Sequence, residues 1–257
     1  MKGLNKKNTK YESLARIKPP FCWLNHTPFV KYLIEEIKPG LVVELGTHSG
    51  NSLISILEAC QSNNLNTKVY AIDTWLGDNH SKNYSDLIYH DLFSYVKLNY
   101  ADNCTLLKMT FEEAVASFSD NSIDLLHIDG YHTYDAVKKD FEDYLPKMKT
   151  NGIVLFHDIL VKDSDFGVHI FWEELSNKYP SFIQDNGTGL GVLLVSESSN
   201  DIFDSIRFET DKIKTFSLMG DVLRYKEEIN DLNLELKFYQ KSRIIKFVKK
   251  IRGVFRK

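Results

Sequence analysis

Residues 123–137, IDLLHIDGYHTYDAV, carry an apolar, strand-like run straight into Asp129, with His127 and His132 within a few positions of it. A second apolar run, GIVLFHD (152–158), ends the same way, in His157 and Asp158. In open parallel sheets ligands bind beyond the carboxyl ends of the strands, so Asp129 and Asp158 are expected to face one crevice. Two carboxylates converging there repel unless a proton or a cation joins them. Oxygen ligands suit Mg²⁺, which takes one or two carboxylates and keeps several waters. Helix capping is the alternative use of the two acids. His132, three positions past Asp129, is either a further ligand or a general base, because imidazole titrates near neutrality. His157 either contacts substrate or orients its loop. His127 lies inside the apolar run and reads as a hydrogen-bonded core histidine.

A third cluster lies earlier in the chain. VELGTHSG (43–50) falls where a strand turns into a helix, and glycines there let the main chain approach a ligand at a helix N-terminus. Asp73 closes the next strand, where an acid can accept hydrogen bonds from both hydroxyls of a ribose. His48 and Asn51 stand where a dinucleotide site would want glycines, which favours a nucleoside without a pyrophosphate. The polar segment TWLGDNHSKNYSD (74–86) reads as a lid, with His80 and Tyr84 as cofactor or substrate contacts.

These clusters need a scaffold. Strand-like runs at 41–45, 68–73, 104–109, 123–129 and 152–158 alternate with helical patterns, and SFIQD (181–185) and GVLLVS (191–196) close the series. That alternation predicts an α/β domain with a largely parallel sheet covered on both faces. Ahead of it, Thr27-Pro28 is expected to cap and start a helix that stops at Pro39-Gly40. After Ser196, Val222, Tyr225, Ile229, Leu232, Leu236 and Tyr239 follow 3-4 spacing, as in a helix with a coiled-coil seam.

Charge divides the chain unevenly. Residues 241–257 hold eight basic residues and no acid, leaving 24 basic against 35 acidic before them, a net −11. A body so acidic is a poor general binder of nucleic acid. In the tail Ile244, Val248, Ile251 and Phe255 line one helical face among the cations, which fits an interfacial helix on anionic lipid or a partner protein. Cys22, Cys60 and Cys104 form no pair with metal or redox spacing. The first twenty residues have no apolar core of a signal peptide, and no run approaches a membrane span. A cytoplasmic protein is expected, peripheral on the inner face of the membrane through 241–257.

VELGTHSGNS, AIDTWLGD, SIDLLHIDGYHTYDAVKKDF, GIVLFHDI and FGVHIFWEEL…GLGV resemble the class I S-adenosylmethionine-dependent methyltransferases. More narrowly they are similar to the macrocin O-methyltransferase-like group linked to bacterial polysaccharide biosynthesis. The resemblance covers roughly residues 22–196. It implies a Rossmann-like seven-stranded sheet with its last strand antiparallel, S-adenosylmethionine in the first loop and Mg²⁺ near the strand-end acids. Carried onto this chain, the cofactor positions are Glu44, Gly46, Thr47, Gly50, Asp73 and Thr74, and the metal positions Asp129 and Asp158. Asp129, His132 and His157 become the catalytic group, with His132 taking a proton from a sugar hydroxyl. The expected layout is an arm (1–21), a methyltransferase domain (22–196) and a helical extension (197–257). Glycosyltransferases of the same pathway and a second copy are the expected partners. Two rivals stand beside this reading: a catalytically silent S-adenosylmethionine-fold partner of a glycosyltransferase or assembly complex, and a nucleotide-dependent oxidoreductase, which the missing glycines disfavour.

Overall fold

The computed structural model describes residues 10–78, 82–83, 86–163 and 165–241. Its central sheet takes β1 (Leu41–Leu45), β2 (Lys68–Asp73), β5 (Cys104–Lys108), β6 (Ile123–Ile128), β7 (Met148–His157), β8 (Ser181–Gln184) and β9 (Leu190–Leu194). Two short strands, β3 (Gly77–Asp78) and β4 (Lys82–Asn83), pair as a hairpin apart from it. The order is β5-β2-β1-β6-β7-β9-β8, a seven-stranded sheet. Neighbours from β5 to β7 are parallel, and β9 runs antiparallel to both β7 and β8. The chain builds outward from β1 through β2 to β5, then returns to lay β6 on the other side of β1. That reversal opens a crevice at the carboxyl ends of β1 and β6.

Strand alternation sends side chains to two apolar layers. Val42, Leu125, Ile153 and Leu155 face the layer with α1 (Thr27–Ile37), α2 (Asn51–Ser62) and α3 (Asp86–Asn99). Val43, Leu126, Val154 and Phe156 face the layer with α4 (Phe111–Ala114), α5 (Tyr134–Tyr144) and α6 (Val168–Ser176). The α4 helix starts on a reciprocal Thr110–Glu113 capping box, and Thr133 caps α5. Thr27 does not cap α1. It is the first helical residue, and its hydroxyl is shared with Ser55 on α2. The helix ends at Lys38, in the left-handed region, just before Pro39.

All three parts of the expected layout pack on one core. Within the arm, Leu14 and Arg16 are buried; Arg16 donates to the carbonyl of Ser49 and pairs with Asp91. In the extension, α7 (Asp201–Arg207) and the first part of α8 (Thr210–Lys241) add Phe203, Ile206, Ile213, Phe216 and Leu223 to the α1 core. The pattern changes after Ser196 because strands give way to helices, not because the core ends. Beneath α8 runs a polar seam. Asn186 donates to the carbonyls of Asn25 and Ser217 and to Asp221, which also accepts from Asn25. Gln184 donates to Ser217 and accepts from His26. The expected basic amphipathic helix falls on 242–257, outside the described residues. Among the described residues, no helix is long and apolar enough to cross a membrane.

Candidate active site

The crevice holds a cavity of about 600 Å³. Gly46, Thr47, His48, Asp73 and Thr74 form one wall, and Asp129, His132, His157 and Asp158 the other, with Cys22 and Trp23 between.

The first wall is made largely by main chain. Gly46 has φ +89, and a Cβ there would lie 1.9 Å from the carbonyl oxygen of Asp129. Only glycine lets the β1 loop cross so close to the end of β6. Gly50, φ +86, is not in the wall: it turns the chain into α2 behind it. Asp73 organises the loop. Its Oδ2 accepts from the amides of Thr47 (3.1 Å) and His48 (2.8 Å), and its Oδ1 from Trp75 (2.7 Å). A carboxylate offers about four lone-pair sites. Three are used by the fold, so one remains for a ribose hydroxyl, where the sequence suggested two. The Thr47 hydroxyl is buried without a partner in the wall, a polar atom suited to a ligand. Burial lowers the pKa of His48, which favours the neutral ring.

The second wall is made of side chains. Asp129 directly follows β6, and Asp158 directly follows β7 at φ +62. His157, almost fully buried, places Nδ1 3.1 Å from Asp129 and 3.2 Å from Asp158. Its Nε2 lies 3.2 Å from the Thr188 hydroxyl. His132 Nε2 lies 3.0 Å from Asp158 and 3.7 Å from Asp129, and its ring stacks flat on Phe166. Burial would lower the pKa of both histidines, but the two carboxylates outweigh it: His132 is raised to about 9 and His157 well above its usual range. Burial would raise the two carboxyls, yet the histidine charges hold both far below the ordinary range. At neutral pH this is a double ion pair, closed on itself.

The same groups could hold a metal. Asp129, His132 and Asp158 offer ligand atoms all within 4.8 Å of one another. Two carboxylate oxygens fit Mg²⁺; the added imidazole nitrogen shifts the set toward Mn²⁺, Fe²⁺ or Zn²⁺. A cation would have to displace the proton on His132.

Two expected positions fall elsewhere. Glu44 is not in the crevice. Alternation on β1 turns it toward the α1 face, where its Oε1 accepts from His127 Nδ1 at 3.1 Å. His127 Nε2 in turn accepts from Trp23 Nε1 at 3.2 Å, making it the buried core histidine the sequence suggested. His80 and Tyr84 lie outside the described residues. Sequence reasoning missed Trp23 and His26, whose rings contact His157, as well as Thr188 and Phe166. A tryptophan just before the first helix was a readable hint; nothing in the sequence marked Thr188.

Comparison with known proteins bears on this crevice. Residues 43–159 match the family described as a methyltransferase domain. An uncharacterized protein of Sinorhizobium fredii is 41% identical over 175 residues, 68% of this chain and 19% of that protein, so the chain spans under a fifth of this relative. A caffeoyl-CoA O-methyltransferase candidate of Staphylococcus aureus superposes with TM-score 0.53 at 16% identity, over 70% of this chain and 85% of that one. A methyltransferase of Podospora anserina solved with SAH gives TM-score 0.51 at 12% identity, over 75% and 97%. An O-methyltransferase candidate of Klebsiella pneumoniae gives 0.50 at 14%, over 74% and 87%. The solved structures show a Rossmann-like fold, and the region from β1 to the end of β7 is similar to a methyltransferase domain.

Proposed function

We propose that this methyltransferase domain moves a methyl group from S-adenosylmethionine to a hydroxyl oxygen, on a sugar of a cell-surface glycan or its precursor. The observation that carries the reading is the contact between Gly46 and Asp129. It sets a nucleoside-sized wall directly against a cluster of acids and histidines. Bound S-adenosylmethionine supplies an electrophilic methyl carbon on a sulfonium, so the protein's work is alignment and removal of the hydroxyl proton. Asp73 holds the loop and keeps one acceptor for the ribose. His157 fixes Asp129 and Asp158 relative to each other. His132 is the group that receives the proton; with its pKa at about 9, it is a strong but mostly occupied base at neutral pH. A divalent cation held by Asp129 and Asp158, with His132 as a third ligand, would instead lower the pKa of the hydroxyl itself. His132 cannot be ligand and base through the same nitrogen, so the two routes separate by pH and chelation. Metal-free turnover rises with pH toward about 9, whereas metal-assisted turnover is abolished by chelator.

The glycan acceptor, the pathway glycosyltransferases as partners and a cytoplasmic site on anionic membrane through residues 241–257 belong to the same proposal. They rest on the resemblance and on the charge pattern of the tail. The test is transfer of isotope-labelled methyl from S-adenosylmethionine to surface glycan, read by mass spectrometry for wild type and Asp158→Asn. Labelled glycan with wild type, reduced at least about 100-fold in the variant, is expected. Cofactor binding without transfer to any glycan would favour the silent-partner reading.

A further inference from the structure

The α8 helix, 32 residues long, presents two unlike sides. Ile213, Phe216, Gly220 and Leu223 are the docked side; a Cβ at Gly220 would lie 1.8 Å from the carbonyl oxygen of Asn25. The other side is apolar and open. Val222, Ile229 and Leu236 are 67%, 57% and 54% exposed, and Leu218, Tyr225, Leu232 and Tyr239 are exposed as well. Beyond Leu223 the helix has no buried residue. A free helix of that remaining length, about 27 Å, is marginal in water. Its exposed face needs a cover.

The spacing specifies which cover. From 218 to 239 a set of apolar residues recurs at alternating steps of four and three over three heptads, with exposed Leu234 and Phe238 lying off it at f and c. A period of 3.5 residues keeps a stripe facing a second helix in a left-handed supercoil. Val222, Ile229 and Leu236 take the a positions; Leu218, Tyr225, Leu232 and Tyr239 take d. The docked residues Phe216, Gly220 and Leu223 fall at b and f, so packing on the domain leaves the seam unused.

We propose that α8 pairs with the same helix of a second copy of this chain, as a parallel two-stranded coiled coil. Charge sets the orientation. The g positions are Asp221, Glu228 and Glu235, and the e positions Met219, Lys226, Asn233 and Gln240. Asp221 is held against the domain by Asn25 and Asn186. Beyond it, in a parallel pair each g residue meets an e residue of the other copy: Glu228 meets Asn233 and Glu235 meets Gln240. An antiparallel pair sets g against g, acid facing acid along the seam. β-Branched Val222 and Ile229 at a, with Leu218 and Leu232 at d, select two strands. Three heptads are short for a free coiled coil, but docking at 213–223 has already ordered the helix, which lowers the entropic cost of association.

Sedimentation equilibrium of the full chain tests this. The expected mass is twice 29.7 kDa across the micromolar range. Ile229→Glu should weaken the dimer at least about 100-fold, because it buries a carboxylate against its twin. Its thermal unfolding at low concentration should match wild type, since Ile229 is outside the core. Leu232→Cys in a Cys22→Ser background should form an intermolecular disulfide on mild oxidation, because d meets d only in a parallel pair; Cys60 and Cys104 are buried. A wild-type chain that stays monomeric overturns the proposal, and is the result expected if residues 242–257 or a membrane cover the stripe. A dimer as tight in Ile229→Glu as in wild type places the interface elsewhere and overturns it equally. A dimer that fails to cross-link at position 232 overturns the parallel arrangement.

Discussion

At the β1–β2 end of the crevice the walls are peptide groups; at the β6–β7 end they are ring nitrogens and carboxylates. The first end depends on shape: a glycine where a Cβ would strike the carbonyl of Asp129, and an Asp73 spent mostly on holding three amides. The second depends on charge: two acids whose partners are His157 and His132. A wall of backbone has one arrangement and tolerates no added volume. A wall of ion pairs has several protonation states and changes with pH or a bound cation. One region therefore fails by steric change, the other by titration.

The sharpest break in this contrast is Gly46→Ala. With φ +89 and a contact of 1.9 Å to backbone, it should cost about 3–5 kcal/mol in denaturant unfolding and remove cofactor binding. A variant within experimental error of wild type would show that the loop has room to move. The second test uses protons. His132 has its folded pKa raised to about 9, so its stabilisation is complete below its ordinary value of 6.5 and is lost as pH rises through about 9, a loss of about 3 kcal/mol. His26 works in the opposite sense. It is buried, and burial lowers it to about 3, so stability falls as pH drops from 6.5 toward that value. Metal-free protein should therefore be most stable near pH 6.5, and His132→Gln should shrink the alkaline decline to the part that His157 contributes, leaving the acidic one unchanged. An unchanged alkaline limb in that variant would separate His132 from the effect. The smallest change expected is Asp73→Ala. It frees three loop amides and the last ribose acceptor, lowering S-adenosylmethionine affinity about 10- to 100-fold by calorimetry. Equal affinity would remove Asp73 from the cofactor site.

The contrast also explains what could be read from the sequence. Strand runs ending in Asp129 and Asp158, and a glycine loop followed by Asp73, are local patterns, and the structure brings all of them to one crevice. Glu44 was misplaced because position in a motif says nothing about the face its strand turns to the core. Alternation on β1 sends it under Trp23, to His127. His157 could not be seen as the bridge between the acids, since that depends on the register of β6 and β7 and on Thr188 between β8 and β9. How the segments before 22 and after 196 pack was hidden for a similar reason: Arg16 and Phe216 are ordinary residues until the surface they cover is known.

The polar seam beneath α8 has a mechanical consequence. Apolar contacts alone would let a helix roll about its axis at little cost, but hydrogen bonds are directional. Asn25, Asn186 and Gln184 grip Asp221 and Ser217 from one side, so α8 is keyed like a shaft in a slot. Shifting by one residue would turn the helix about 100°, breaking those bonds and swinging the Val222–Tyr239 stripe to another side. The key continues inward through Gln184 to His26, whose ring abuts His157. Torque applied at the far end of the helix is thus resisted by a chain of bonds that ends beside the crevice.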